Sequence, residues 1–319
     1  MIKIRKFLGI ISVFLFSVLC IVGCGNNQKD SDKMSVVTTI FAPYDFARQI
    51  TADKAEIDML MSPGVDTHSY EPSPQDIIKI NECDVFIYVG GENDEWVDDI
   101  LDTIENDDIK VIKLMDCVEK VEEEIVEGME HDHDEHSEEA HEHESWDEHV
   151  WTSPVNAIKI CDEMTKVFSE VDSSNAEVYK ENLEKYTAEL TKLDEAFKEV
   201  VNNAERNVML FGDRFPVRYF TEEYGIEYYA AFPGCSSDTE ASASTLAFLI
   251  DKVKRENISV IFKIELSNGN IAETISEATG ADILTFYACH NLTKEEFENG
   301  KTYVDYMWEN VNSLEKALN

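Results

Sequence analysis

The chain has 319 residues, with 27 Lys+Arg against 66 Asp+Glu and a formal charge of −39. That balance excludes nucleic acid as a partner, since no basic stripe exists to neutralise phosphates. It also repels anionic substrates and raises the local concentration of cations.

At the N-terminus, Lys3, Arg5 and Lys6 precede an apolar run over 7–19 broken only by Gly9, Ser12 and Ser17. Ile21-Val22-Gly23-Cys24 follows, then a polar stretch over 25–30. This is the anatomy of a secretory signal peptide, and the run is short for a membrane span, which needs about 20 residues. A Cys after such a site resembles a bacterial lipobox. It implies a signal peptide over 1–23, acylation of Cys24, a polar tether over 24–34 and an extracytoplasmic, membrane-anchored location. Of the seven cysteines, Cys83, Cys117, Cys161, Cys235 and Cys289 lie beyond Cys24. An odd count without close spacing is no disulfide framework, and most read as small buried apolar residues.

The remaining residues, about 285, suffice for two lobes of ordinary domain size. Strand and helix signals alternate in a first block: strand 36–40, a helix from about Pro43, strand 57–61, helix 75–81, strand 85–89, helix 95–104 and strand 111–114. A helix near Pro154 follows. Apolar residues then recur at helical spacing from Val178 through Tyr186, Leu193 and Phe197 to Val201, with Ser173 or Ser174 as candidate caps. A helix of about 30 residues spans roughly 45 Å, enough for a stiff strut or a long packing helix. The second block repeats the order: strands 208–211, 228–232, 260–264 and 283–287, with helices 217–223, 245–256, 270–277 and 303–318. Such alternation implies parallel sheets covered by helices on both faces. The expected fold is therefore α/β, with two lobes, each a four-stranded mainly parallel sheet flanked by helices, joined by one long helix. The boundaries are 35–171 for the first lobe, including a His-rich loop at 128–149, then 172–205 for the linking helix and 206–319 for the second lobe.

Six of the eight histidines fall in HDHDEHSEEAHEHESWDEH, residues 131–149, among acids and without a single Lys or Arg. Such a tract has too little apolar surface to fold alone. Imidazoles mixed with carboxylates suit divalent cations, zinc, copper and nickel above magnesium or calcium. His131, His133, His136, His141 and His143 are thus auxiliary metal-binding candidates. His68, in PGVDTHSYEPSPQD, lies beyond the carboxyl end of the second strand, and His149 lies beyond that of the fourth. Ligands of open parallel sheets bind outside those ends, so the two can converge despite about eighty intervening positions. In the second lobe the donors at strand ends are Asp213, Cys235, Glu265 and His290, all residue types that zinc accepts. Glu265 fits an orienting role as well as a ligand role. Cys235 and Cys289 could pair, bind metal or simply pack.

The lipobox, the blocks around His68 and His149 and the acidic His-rich loop resemble the zinc- and manganese-binding substrate-binding proteins of bacterial ABC transporters, on the zinc-uptake branch. YFTEEYGI (219–226), TEASASTLAFLIDKVKRENISVIFKIE (239–265) and TYVDYMWENVNSLEKAL (302–318) are similar to further family segments. The resemblance implies one metal held between two lobes, His68 and His149 as ligands, a membrane permease as partner and no catalysis. It also implies a further histidine ahead of the helix that ends at Gly225. Here that segment reads FGDRFPVRYF, where Arg214 has no lone pair for a metal and Asp213 is the nearest donor. FYACHNLT places His290 where the family often has an acid. The expectation is a monomeric, lipid-anchored carrier of Zn2+. A manganese or iron carrier of the same family and a surface adhesin with structural metal are the alternatives. No HExxH or nucleophile-elbow motif supports a hydrolase.

Overall fold

The computed structural model describes residues 33–65, 70–104, 106, 108–129, 146–236 and 240–319. Cys24, His68, His131, His133, His136, His141 and His143 lie outside the described residues. Among the described residues, no helix is long and apolar enough to cross a membrane.

Strands β1 (Met34–Thr38), β2 (Ala55–Met59), β3 (Val85–Tyr88) and β4 (Lys110–Lys113) form a sheet in the order β2-β1-β3-β4. Strands β5 (Val208–Phe215), β6 (Glu227–Pro233), β7 (Val260–Lys263) and β8 (Asp282–Thr285) repeat it as β6-β5-β7-β8. Every pairing is parallel, with Val36 opposite both Ile57 and Val85, and Phe211 opposite both Ala230 and Phe262. Burial follows sheet position. The VFIY of β3 is covered throughout, as a strand sandwiched between helices must be, whereas edge strand β2 alternates. Strand order reverses between β1 and β3 and again between β5 and β7. Each reversal opens a crevice at the strands' carboxyl ends.

Ten helices are described: α1 (Phe41–Thr51), α2 (Pro74–Glu82), α3 (Glu95–Leu101), α4 (Pro154–Val171), α5 (Ala176–Asn203), α6 (Arg218–Tyr224), α7 (Ala243–Glu256), α8 (Asn270–Thr279), α9 (Lys294–Glu298) and α10 (Tyr303–Leu318). Their starts carry local chemistry. Ser73 and Asp76 form a capping box ahead of α2, with Pro74 in its first turn, and Thr302 and Asp305 form another ahead of α10. Each box satisfies backbone N–H groups that have no partner within the helix. Gly225 and Gly280 end α6 and α8 in left-handed conformations, which glycine adopts without Cβ strain. The short α9 escapes a periodicity reading because five residues hold barely more than one turn, although its Thr293–Glu296 box is visible in the sequence.

Helix α5 starts at Ala176 without a side-chain cap, so neither Ser173 nor Ser174 serves as one. Asp172 organises the entry instead, accepting from the Ser174 hydroxyl at 2.7 Å, Asn175 Nδ2 at 2.6 Å and the Tyr179 hydroxyl at 2.7 Å. The 28-residue helix packs along α4, α1 and α10. It buries Tyr179, Tyr186, Leu190, Leu193, Phe197 and Val200. A core cluster runs without a break from Phe46 and Met164 through Tyr186 and Phe197 to Phe220 and Leu314. The helix is therefore a shared spine rather than a bare strut. Truncating a buried aromatic such as Phe197 to Ala would cost about 3–5 kcal/mol.

Further ties cross between the two sheets' elements. The fully buried Asp45 accepts from Arg48 in its own helix and from the Tyr303 backbone N–H at 2.7 Å. Burial pushes its pKa up, against the pull of the Arg48 charge and of its hydrogen bonds. Arg48 also donates to the Lys301 carbonyl at 2.8 Å. Together these bonds seat the first turn of α10 on α1.

Candidate metal centre

His149 lies where the chain turns into a single 3-10 turn, Val150–Thr152, ahead of α4. Its side chain is 1% exposed. Asp147, equally buried, accepts through one carboxylate oxygen from the His149 backbone N–H at 2.8 Å and from Nδ1–H at 3.0 Å. That second bond fixes the tautomer and puts the lone pair on Nε2, the arrangement of carboxylate-oriented metal-binding histidines. Burial alone lowers the pKa of His149. The charge and hydrogen bond of Asp147, with Glu148 and Glu123 nearby, outweigh it and raise the pKa. Neighbouring Glu148 accepts from Asn93 at its backbone N–H (3.0 Å) and Nδ2 (2.9 Å). From the second lobe, Gly234 backs the ring. An added Cβ there would lie 2.8 Å from the Phe215 carbonyl and 2.9 Å from His149 Cε1, so only glycine lets the loop after β6 come this close.

His290 follows β8 and is held through its backbone. Its N–H donates to Glu265 Oε1 at 2.9 Å, and its carbonyl accepts from Phe41 N–H at 2.9 Å. Glu265 Oε2 accepts from the Ala288 N–H at 2.7 Å, so the carboxylate spans the turn. Burial pushes Glu265 up to about 7, partly offset by those N–H donors. Its imidazole Nδ1 lies 3.9 Å from Glu265 Oε1. Cys289, one residue earlier, takes φ of +60°, a conformation that costs about 1–3 kcal/mol outside glycine. The bonds on either side of it impose that bend.

The two imidazoles meet with ring centroids 4.8 Å apart, nearly perpendicular. Trp151 packs beside both, 5.6 Å from His149 and 5.0 Å from His290. Its indole N–H donates to the Ala288 carbonyl at 2.7 Å, while its own carbonyl accepts from the Tyr303 hydroxyl at 2.8 Å. A cavity of about 30 Å³ adjoins His290, walled by Met61, Tyr70, Asn93, Glu148 and Trp151. That is room for one ion or a water or two.

The other sequence candidates are placed as follows. Asp213 lies inside β5, which runs on to Phe215 past an irregularity between Phe211 and Arg214. Its oxygens accept from Arg214 N–H at 2.9 Å and Ile264 N–H at 3.4 Å. Cys235 and Cys289 are both free thiols, so the disulfide alternative does not hold. Among the described residues, no group of three or more His, Cys, Asp or Glu side chains could hold a metal ion; the structure brings His149 and His290 together, with Glu265 beside the latter. The loop leading toward residue 68 is fastened to the same place, since Asn291 Nδ2 donates to the Ser62 and Val65 carbonyls at 2.9 Å each. Sequence reading missed Asp147, Trp151 and Asn291. Only Asp147 carried a signal, as an acid two residues before a candidate ligand.

The sequence and fold have known counterparts. A family profile described as ZnuA, the periplasmic zinc-uptake complex component A, matches residues 36–317. The zinc-binding lipoprotein AdcA of Streptococcus pneumoniae strain R6 is 32% identical over 312 residues, covering 96% of this chain and 60% of the relative. The high-affinity zinc uptake system protein ZnuA of Bacillus subtilis strain 168 is 32% identical over 307 residues, covering 94% of both. The crystal structure of the Zn(II)-bound ZnuA-like domain of S. pneumoniae AdcA superposes with a TM-score of 0.73 at 28% identity, over 90% of this chain and 99% of that one. The chain thus spans about 60% of the length of the pneumococcal relatives it matches. The profile match begins inside β1 and ends in the last turn of α10, and the chain belongs to the ZnuA family.

Proposed function

We propose that this protein is the extracytoplasmic zinc-binding component of a metal ABC transporter, holding Zn2+ between its lobes and handing it to a membrane permease. The observation that carries the reading is the pair His149 and His290, one from each lobe, with centroids 4.8 Å apart. Two imidazoles on one zinc, with Zn–N of about 2.0–2.1 Å, place their centroids roughly 5 Å apart. Nitrogen donors favour zinc over manganese or calcium, and relatives at 32% identity are named for zinc.

In this reading residues 35–171 and 206–319 are the two lobes and 172–205 joins them. His149, His290 and His68 are the protein ligands. Support for His68 is the tie from Asn291 to Ser62 and Val65, and the place of Tyr70 in the wall of the cavity beside His290. Glu265 positions His290 through its backbone, and Asp213 braces the crossing from β5 to β7. The histidines at 131, 133, 136, 141 and 143 gather metal weakly ahead of the cleft, and a lipid on Cys24 keeps the monomer at the membrane. No substrate bond is made or broken. Zinc titration of the purified, tag-free mature chain tests this. One equivalent should bind at about nanomolar affinity, and both His149→Ala and His290→Ala should weaken it. Affinity of about micromolar or weaker, indifferent to both substitutions, would sink the reading.

A further inference from the structure

After the 3-10 turn Leu114–Cys117, residues 118–129 leave the first sheet and run along elements of the second lobe. Val121 N–H donates to the Tyr219 hydroxyl of α6 at 3.1 Å, and that hydroxyl donates on to the Asp147 carbonyl at 3.0 Å. Glu123 accepts from the Cys235 N–H at 3.4 Å. Glu124 accepts from the Tyr228 hydroxyl of β6 at 3.4 Å and lies 3.6 Å from Arg218. Glu127 is 3.9 Å from Lys252 of α7. Gly128, at φ +96°, fits against the Phe248 ring so closely that a Cβ would sit 2.1 Å from it.

The same segment is joined to the metal centre. Glu122 bridges Trp146 in antiparallel fashion, and Asp147 N–H donates to the Val121 carbonyl at 3.0 Å. Asp147 is the residue that orients His149. One strap from the first lobe is thus pinned to the second by side chains of α6, β6 and α7, with the carboxylate–histidine pair on its inner side. Most of its pins are half-exposed ion pairs and long hydrogen bonds, each weak alone. Their sum makes the strap firm yet separable without unfolding either sheet.

We propose that residues 118–129 form a latch that holds the second lobe against the His149 wall of the cleft and sets the rate at which zinc leaves. This deepens the proposed zinc-carrier function and rests on it.

The test is zinc release into excess chelator by stopped flow, on the full mature chain, for wild type, Gly128→Ala and the double variant Glu124→Gln/Tyr228→Phe. None of these residues is a proposed ligand. Release should quicken by about fivefold or more in both variants, with one zinc still bound and the ligand atoms unchanged by zinc-edge X-ray absorption. Amide hydrogen exchange should speed up over 118–129 in the same variants, which shows that the latch has been freed. Freed amides with zinc leaving at the wild-type rate would overturn the latch while leaving the carrier reading intact. A wild-type chain that takes up no zinc would overturn both. The double variant keeps the question answerable if Gly128→Ala does not fold.

Discussion

The two histidines that meet at the cleft are held in different ways. His149 is gripped by its side chain, because the Asp147 carboxylate holds both its ring and its backbone, in a site almost closed to solvent. His290 is gripped by its main chain, because Glu265 holds the backbone around it while the ring stands 3.9 Å away. The first arrangement fixes a tautomer and a ring plane before any metal arrives. The second fixes where the ring is attached, with His149 and Trp151 packed against the ring itself. For the zinc carrier proposed above, which must bind firmly and still let go, one candidate ligand fixed by its own carboxylate faces another seated through the main chain of its lobe.

The largest test of this contrast is to remove each ring. His149→Ala and His290→Ala should each weaken zinc binding about a hundredfold or more, since a site worth roughly 10–16 kcal/mol is shared among few ligands. Isothermal titration with a competing chelator measures it. If His290→Ala bound zinc as wild type does, the second lobe would contribute no ligand and the comparison would break.

The orienting carboxylates should separate more finely. Asp147→Asn should lower zinc affinity by about 10–100-fold, the usual cost of losing a partner that orients a metal-binding histidine. Glu265→Gln should act mainly on stability. Its single carbonyl oxygen cannot serve both the Ala288 and His290 N–H groups, and one stranded buried donor costs about 1–3 kcal/mol. Thermal melts of the metal-free variants alongside titration distinguish the two. Equal loss of affinity with equal loss of stability would erase the distinction between side-chain and main-chain grip.

The smallest effect lies at the spine. Asp172 is partly buried, which raises its pKa, but bonds from Asn175, Ser174 and Tyr179 dominate and bring it down to about 2 from an ordinary 3.8. A carboxylate depressed in the folded state adds stability above its unfolded pKa, and that contribution fades as pH falls from about 4 toward about 2. Asp172→Asn should flatten acid unfolding in that window, followed by far-UV circular dichroism, and leave zinc affinity at neutral pH unchanged. A change in zinc affinity would mean that the entry of α5 reports to the cleft.

Chain order, periodicity and turn residues were enough to read both four-stranded blocks, the long helix and, to the residue, the span of α10. These features are local. A strand such as VFIY is apolar because both its faces will be covered, and a helix shows its buried stripe at its own period. Histidine at 149 and 290 was legible as a candidate donor, since the residue type and its place after a strand suffice to name one, and the structure brings the two rings together. What cannot be local is company. Trp151 packed beside the His290 ring, Asn291 reaching to Ser62 and Val65, and the strap pinned by Arg218, Tyr228 and Phe248 all join residues tens to hundreds of positions apart. A one-dimensional pattern records which groups exist. Only the packed fold decides which of them lie within hydrogen-bonding distance, because those separations are set by how sheets and helices stack.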